Sequence, residues 1–319
     1  MRIAYNTWSM ATVPYTTFIP AVADIGFGAI AISVVPHYQI GGRRVDNAAA
    51  LDCLSADDRR RIRQAFRERG LRLPSIVGNQ ALTGPDLESR QLAMDYLRRA
   101  IDLCVELAPD AEVPTLNTGT GGKSGDLEDA HIRPLIVDAL GELAEYARSR
   151  GVMVCVEPHV NAPVDSIERA EWLVRTVGHP ALRLDFDVSH FEVQGVAMED
   201  SVPRLARLAA AAEVKDQHCR AVGAEAAETT WRVPGNGDGR AIAPDGRELE
   251  FQFLLAGEGT FDLARYLRLM QQQGFDRPIA FEASVQCQAR PGYDALASAV
   301  GIYRWMADAW ARAGVSMDD

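Results

Sequence analysis

The chain has 319 residues, 47% of them hydrophobic, which is enough to bury the core of one large α/β domain. Its 33 basic and 44 acidic side chains give a net charge of −11, which excludes nucleic acid and anionic membrane surfaces as expected partners. No apolar run approaches the length of about 18 residues that spans a bilayer, so no membrane segment is predicted.

The N-terminus and the cysteines indicate the compartment. The first ten residues, MRIAYNTWSM, run directly into a strand pattern without the charged and apolar regions of a secretion signal. The five cysteines are scattered, with no C-x-x-C pair of the kind found in zinc ribbons. We therefore predict reduced thiols and a cytoplasmic protein.

Strand and helix patterns alternate along the chain. Short apolar runs predict eight strands, at residues 3–8, 29–35, 71–77, 113–117, 152–157, 182–187, 211–215 and 278–283. Amphipathic segments between them predict eight helices, at residues 15–25, 57–69, 86–107, 132–148, 166–177, 201–210, 261–273 and 293–312. This alternation is typical of a parallel sheet built from βα units.

Eight such units predict a closed (β/α)8 TIM barrel. A doubly wound open sheet would need a glycine fingerprint at the first βα turn, which the sequence NTWSMATVP lacks. The glycine-rich TGTGGKSGD after the fourth strand resembles a phosphate loop only weakly, and we interpret it as a flexible active-site loop. No linker divides the chain, so residues 1–319 are predicted to form one domain, with an inserted loop at 218–257 near the barrel mouth.

Carboxylates stand at the ends of four consecutive predicted strands. In a barrel these ends converge on one mouth, where the cluster would repel itself unless a cation were present. Oxygen donors with one imidazole suit Mn²⁺ best, with Mg²⁺ or Co²⁺ as alternatives. Each residue alone could instead be a solvated strand end. The four are Glu157, Asp187, Glu213 and Glu282.

The same strand ends carry a specific resemblance. The motifs VEPH, DVSH, EVKD and FEAS, with LAGEGTFDLARYLRLMQQQGF before the last, resemble the xylose isomerase-like TIM-barrel superfamily. That group includes sugar isomerases, ketose 3-epimerases, inosose dehydratases and endonuclease IV-type repair enzymes. The resemblance implies one divalent metal held by Glu157, Asp187 and Glu282, with His190 as a substrate contact.

Strand seven departs from the family pattern. The family usually reads H-x-K-D where this chain reads Glu213-Val-Lys-Asp. Strand alternation points Glu213 inward, which favours it as the fourth ligand. His218, five residues further on, is the alternative ligand.

The resemblance implies proton transfer beside a carbonyl, with Glu157 and Glu282 as the acid/base pair. His159 is a further candidate for general base or oxyanion partner, or else a hydrogen-bonded rim histidine. Trp8 could supply a flat face for a sugar ring or belong to the core. Other candidates for substrate binding at the mouth are His37, His190, Lys215 and Arg290.

Four functions remain open at this stage. A metal-dependent sugar isomerase or epimerase comes first. The insertion and the ending FEASVQCQARPGYD also resemble the large subunit of C-glycoside deglycosidases, which are lyases acting on 3-oxo-glycosides with a small partner subunit. Endonuclease IV-like repair is disfavoured, because that chemistry uses a histidine-rich zinc site and a basic groove, whereas this chain is acidic and has only six histidines. A non-catalytic sugar-binding barrel is also disfavoured, because burying four carboxylates without a catalytic use for them would be costly. The expected partner is a carbohydrate or glycoside, and a homo-oligomer is the default assembly.

Overall fold

The computed structural model describes residues 1–108, 113–223, 233 and 235–316. Eight parallel strands close into a barrel in which each strand pairs with its sequence neighbours and the last pairs with the first. The predicted (β/α)8 barrel is therefore confirmed. The strands are β1 (Ile3–Asn6), β2 (Ala29–Ser33), β3 (Ser75–Val77), β4 (Thr115–Thr118), β5 (Met153–Val156), β6 (Leu182–Asp187), β7 (Ala209–Val214) and β8 (Ile279–Phe281).

Eight helices connect the strands and cover the outside of the barrel. Their apolar faces pack on the outward-facing strand side chains to form one continuous core. Ser55 and Asp58 form the expected capping box at the start of the second helix. The helices are α1 (Tyr15–Ile25), α2 (Ala56–Glu68), α3 (Leu87–Leu107), α4 (Ile132–Ser149), α5 (Ile167–Val177), α6 (Met198–Leu205), α7 (Leu263–Gln272) and α8 (Ala295–Ala313).

The largest error in the predicted boundaries falls around β7. The helix predicted at 201–210 is α6, which begins at Met198 and ends at Leu205, and the strand begins at Ala209. The alanine run at its start favours a helix by intrinsic propensity. Here it forms a strand because β7 pairs with β6 on one side and β8 on the other, and barrel closure overrides the local preference.

The segment predicted as an inserted loop holds regular structure. Three strands, Asp216–Ala221, Gly239–Ile242 and Glu248–Leu254, form an antiparallel sheet with the last strand in the middle. We call it the insertion sheet. Its buried Phe251 and Phe253 pack against residues of the loops that follow β5 and β6, so the sheet sits beside the barrel mouth. Residues 224–232 and 234 of the predicted loop lie outside the described part.

Asp216 fastens the insertion sheet to the barrel. Its carboxylate accepts hydrogen bonds from the backbone N–H groups of Gln217, Gly257, Gly259 and Phe261 at 2.8–3.1 Å. A side chain at Gly259 would collide with this carboxylate, which explains the glycine there.

A second small addition follows β2. The hairpin His37–Ile40 and Arg43–Asp46 lies at the mouth near β1. None of the helices in the described ranges is both long and apolar enough to cross a membrane.

Candidate active site

The carboxyl ends of β5 to β8 bring acidic side chains together around one lysine. Lys215 directly follows β7 and is only 2% exposed. Its ammonium nitrogen bonds Asp187 Oδ2 and lies 3.3 Å from Glu282 Oε1 and 3.8 Å from Glu157 Oε1. The predicted convergence therefore occurs, and a buried cation within the chain partly compensates the carboxylates.

His190 lies in the same cluster. Its Nε2 atom is 3.1 Å from Glu157 Oε1, 3.6 Å from Asp187 Oδ2 and 3.3 Å from Lys215 Nζ. Ligand atoms of Glu157, Asp187 and His190 all lie within 4.8 Å of one another, a spacing that suits a single metal ion. The other ring nitrogen of His190, Nδ1, is buried without a hydrogen-bond partner. The donor set thus fits a divalent cation, and it includes a histidine that the sequence assigned to substrate.

The two glutamates predicted as an acid/base pair differ in their pKa. Burial disfavours ionisation of Glu157, but the hydrogen bond from His190 and the charge of Lys215 outweigh it and hold the pKa well below its usual range. Burial raises the pKa of Glu282, and the nearby charge of Glu157 adds to this although Lys215 opposes it. The surroundings therefore favour the ionised form of Glu157 and the protonated form of Glu282.

Glu213 points into the barrel, as alternation predicts, and is 3% exposed. The side-chain amide of Asn6 donates to Glu213 Oε1 at 2.8 Å and to Glu282 Oε2 at 3.3 Å. Burial, with the charges of Asp185 and Glu282, raises the pKa of Glu213 well above its ordinary value. Asn6 at the end of β1 thus links the two carboxylates at the ends of β7 and β8.

Sequence reasoning missed Asp185. It lies on β6 two residues before Asp187, points into the barrel and accepts a hydrogen bond from Asn117 Nδ2 at 2.6 Å. Burial and the neighbouring acidic side chains of Glu157 and Asp187 raise its pKa well above the ordinary value. The alternation that singled out Asp187 also applies to position 185 and is the signal that could have found it.

His159 stands at the outer edge of the cluster. Its ring stacks on the buried ring of His190 with 3.8 Å between centroids, and its Nδ1 hydrogen-bonds the carbonyl of Val160 at 2.7 Å. Desolvation and the neighbouring His190 lower its pKa to about 4. His159 is therefore neutral at pH 7 and able to accept a proton.

A cavity of about 490 Å³ opens beside the cluster, at the ends of β1 to β5. It brings together Trp8, His37 and His159 with Glu157, as predicted for mouth residues. The glycine-rich loop after β4 also lines it, and Asn79 fixes that loop by accepting a hydrogen bond from the backbone N–H of Gly119 at 2.9 Å. The cavity therefore connects this loop to the acidic cluster.

Two predicted residues lie apart from this arrangement. Arg290 makes a bidentate ion pair with Glu258, at 2.6 and 2.9 Å. His218 lies on the first strand of the insertion sheet, where it pairs with Gln252, and it is not one of the three closely spaced donors.

The sequence profile of the family described as "Xylose isomerase-like TIM barrel" matches residues 19–306. The chain belongs to this family. The matched region includes the ends of β5 to β8, which carry the acidic cluster.

Solved structures share this fold across nearly the whole chain. The IOLI protein, solved with a zinc atom, is 17% identical with a TM-score of 0.71, over 99% of this chain and 100% of that one. A D-psicose 3-epimerase, solved in the presence of D-fructose, is 13% identical with a TM-score of 0.70, over 99% and 100%. At these identities the likeness concerns the fold.

A phosphomethylpyrimidine synthase from Caldanaerobacter subterraneus subsp. tengcongensis is 34% identical over 119 residues. Those residues are 36% of this chain and only 25% of that protein. The short match carries no functional assignment.

Proposed function

We propose that this family member is a divalent-metal-dependent sugar isomerase or epimerase that moves a proton at a carbon next to a carbonyl. The observation that carries the proposal is the convergence of Glu157 and Glu282 on Lys215, whose ammonium nitrogen lies 3.8 Å from Glu157 Oε1 and 3.3 Å from Glu282 Oε1. The fold similarity to a D-psicose 3-epimerase supports a sugar substrate.

The residues proposed to hold the metal are Glu157, Asp187 and His190, joined by Glu213 and Glu282 from the predicted ligand set. When bound, a divalent ion would polarise a substrate carbonyl and so acidify the adjacent C–H bond. Mn²⁺ is our first candidate, with Mg²⁺ or Co²⁺ as alternatives. The similar IOLI structure, solved with a zinc atom, supports a divalent ion in this fold.

Different side chains then remove the proton and return it. Glu157, held ionised by His190 and Lys215, takes the proton from carbon. Glu282, whose pKa is raised by burial, supplies the proton that returns to carbon. His159 lines the same cavity as Glu157 and is the further candidate for proton transfer to the substrate.

Hydrogen–deuterium exchange into substrate tests this proposal directly. Candidate ketoses are incubated with the protein and Mn²⁺ in D₂O, and solvent deuterium at the carbon next to the carbonyl is followed by NMR. We expect exchange that stops with chelator and with Glu157→Gln, and continues in Glu171→Gln, whose carboxylate pairs with Arg204 on the outer surface. Exchange that persists in Glu157→Gln would contradict the assigned role.

Product analysis with a 3-oxo-glycoside as the substrate separates the lyase alternative. A C-glycoside deglycosidase would release an aromatic aglycone from a 3-oxo-glycoside, while an isomerase would yield only isomeric sugars. A homo-oligomeric assembly and a cytoplasmic location remain predictions.

A further inference from the structure

The insertion sheet contacts the acidic cluster through the side chain of Phe253. This residue lies near the end of the middle strand, Glu248–Leu254, and is only 5% exposed. Its ring meets the imidazole of His190 edge-on, with 5.2 Å between ring centroids. The ammonium nitrogen of Lys215 lies over the same ring, 5.7 Å from its centroid. A segment that is not part of the barrel sheet therefore touches two members of the cluster.

The backbone of Phe253 is fixed at both of its polar groups. Its N–H group donates to Gln286 Oε1 at 3.0 Å, and its carbonyl accepts from Asn236 Nδ2 at 2.9 Å. The same carbonyl accepts a hydrogen bond from the thiol of Cys287 at 3.2 Å. Gln286 and Cys287 belong to the short helix Val285–Gln288, which follows β8. The barrel therefore holds this ring in place against the cluster.

His190 is enclosed between two rings. The ring of His159 stacks on it, while the ring of Phe253 meets it at an interplanar angle of 86°. A side chain packed on more than one side has little freedom to change its rotamer. The contacts therefore keep His190 Nε2 where it lies, 3.1 Å from Glu157 Oε1 and 3.6 Å from Asp187 Oδ2.

Packing matters more here than in most metal sites. A histidine that binds a metal is usually oriented by a hydrogen bond from its second ring nitrogen to a neighbouring group. Within the part of the chain that the structure describes, the buried Nδ1 of His190 has no such partner. On that side of the imidazole, contacts with neighbouring rings must replace the hydrogen bond, and Phe253 provides one of them.

The same ring leaves the donors of Lys215 available to the cluster. An aromatic face attracts a cation but takes up none of its N–H donors in a conventional hydrogen bond. The ammonium group is therefore free to direct its donors toward the carboxylates, as its bond to Asp187 shows. Phe253 thus closes the cluster with an apolar surface that does not compete for its polar atoms.

We propose that Phe253 is a positioning residue of the metal site, which fixes the imidazole of His190 so that Nε2 faces Glu157 and Asp187. The inference rests on the proposed function, because it assumes that these three side chains hold a divalent ion. It gives the insertion sheet a part in building the site, although none of the proposed ligands lies on that sheet.

Phe251 provides the matched control. It lies on the same strand as Phe253, is 3% exposed and packs in the same small apolar cluster. Among the described residues, its ring pairs with that of Phe253, at 5.1 Å between centroids, and not with that of His190. Phe251→Ala and Phe253→Ala each delete a buried ring from the insertion sheet, so a general loss of packing is common to both variants.

The first measurement uses the metal-free protein. Side-chain ¹H–¹⁵N spectra recorded with chelator report the imidazole of His190, whose signals are assigned by their loss in His190→Gln. Nitrogen shifts follow the tautomer and its hydrogen bonds. We expect them to move in Phe253→Ala, because a ring that can rotate loses its fixed contact with Glu157. In Phe251→Ala they should stay at the wild-type positions.

The second measurement is the affinity for Mn²⁺ by titration calorimetry. Loss of a group that orients a metal ligand typically weakens binding by 10-fold to 100-fold, so we expect the Kd of Phe253→Ala to rise by about tenfold. The Kd of Phe251→Ala should remain close to that of wild type. Circular dichroism checks the fold of each variant.

Phe253→Leu and Phe251→Leu keep the test decisive if an alanine variant does not fold. Leucine retains most of the apolar volume but not the ring edge that meets His190. We expect Phe253→Leu to change the nitrogen shifts and the Kd in the same direction as alanine, by a smaller amount, and Phe251→Leu to change neither.

Unchanged nitrogen shifts of His190 in the Phe253 variants would overturn the inference. Equal effects of the Phe251 and Phe253 variants, on the shifts or on the Kd, would overturn it as well. Failure of the wild-type protein to bind Mn²⁺ would contradict the proposed function. In that case the spectra of the metal-free protein still decide whether Phe253 positions His190.

Discussion

The two halves of the barrel mouth differ in charge. The ends of β1 to β4 contribute an indole, amides and glycine backbone, such as Trp8, Asn79 and Gly121. The ends of β5 to β8 contribute carboxylates with one histidine and one lysine packed among them. Electrostatic chemistry needs closely spaced, desolvated charges, while recognition of a neutral ligand needs shape and hydrogen bonds. Under the proposed function, the acidic half would carry the chemistry and the neutral half would bind the rest of the substrate.

The largest expected effect tests the acidic half by removing its acid/base groups. Glu157→Gln and Glu282→Gln keep side-chain size but cannot exchange a proton, so we expect turnover to fall by about 10² to 10⁴. Steady-state kinetics and circular dichroism measure the activity and the fold. Asn79→Ala in the neutral half should mainly raise KM, and an equal loss of kcat there would break the comparison.

Removal of the buried cation tests how the acidic half is held together. Lys215→Met leaves Asp187, Glu157 and Glu282 without their shared partner, and we expect the free energy of unfolding to fall by about 3–5 kcal/mol. Urea denaturation measures the change. Lys123 is the other lysine of the chain and is exposed, so Lys123→Met should stay within about 0.5 kcal/mol of wild type.

A divalent ion should stabilise the folded protein through the acidic half. At 100 times its Kd, Mn²⁺ is expected to add about 2.7 kcal/mol to the free energy of unfolding. Thermal melts with Mn²⁺ and with chelator measure this shift. The shift should shrink in Asp187→Asn and persist in Trp8→Ala, because only the first substitution removes a proposed ligand. Equal shifts in both variants would place the ion elsewhere.

Glu192, beside the acidic half, should make stability depend on pH. Burial raises its pKa to about 7, from an unfolded value near 4.3. The folded state therefore binds more protons between these values, and the free energy of unfolding falls as the pH rises through them. Because the side chain is partly exposed, the loss is about 1–3 kcal/mol. Glu192→Gln should flatten this dependence in urea titrations at pH 4.5 to 8, whereas Glu88→Gln, at an exposed position on α3, should retain it.

The smallest effect concerns the loop in the neutral half. Asn79→Ala removes the hydrogen bond to the backbone N–H of Gly119, and we expect a loss of about 1 kcal/mol in the free energy of unfolding. Asn79→Asp keeps the acceptor and should recover most of it. A loss with Asn79→Asp as large as with Asn79→Ala would mean that this hydrogen bond does not hold the loop.

The sequence predicted the regular parts of this protein well. The bounds of α1 and β6 match the structure, because both are marked by local signals, a terminal glycine and an uninterrupted strand pattern. The inserted sheet escaped prediction because its segment of the chain is polar and glycine-rich, and because its first and last strands pair across a long intervening stretch.

The candidate site was predictable only in part. Strand alternation placed Glu157, Asp187 and Glu213 at the mouth, since period-two geometry is local. The position of Lys215 between carboxylates from three other strands is a long-range outcome of barrel closure.

By itself, the sequence determined the (β/α)8 order and the convergence of acidic strand ends, because both follow from short-range periodicity and the geometry of parallel strands. Only the tertiary structure decided which charges meet, that His190 joins Glu157 and Asp187, and that Trp8 lines one cavity with Glu157. These features depend on distances between side chains on different strands of the barrel. Burial and electrostatics set those distances together, so they cannot be predicted from a local sequence pattern.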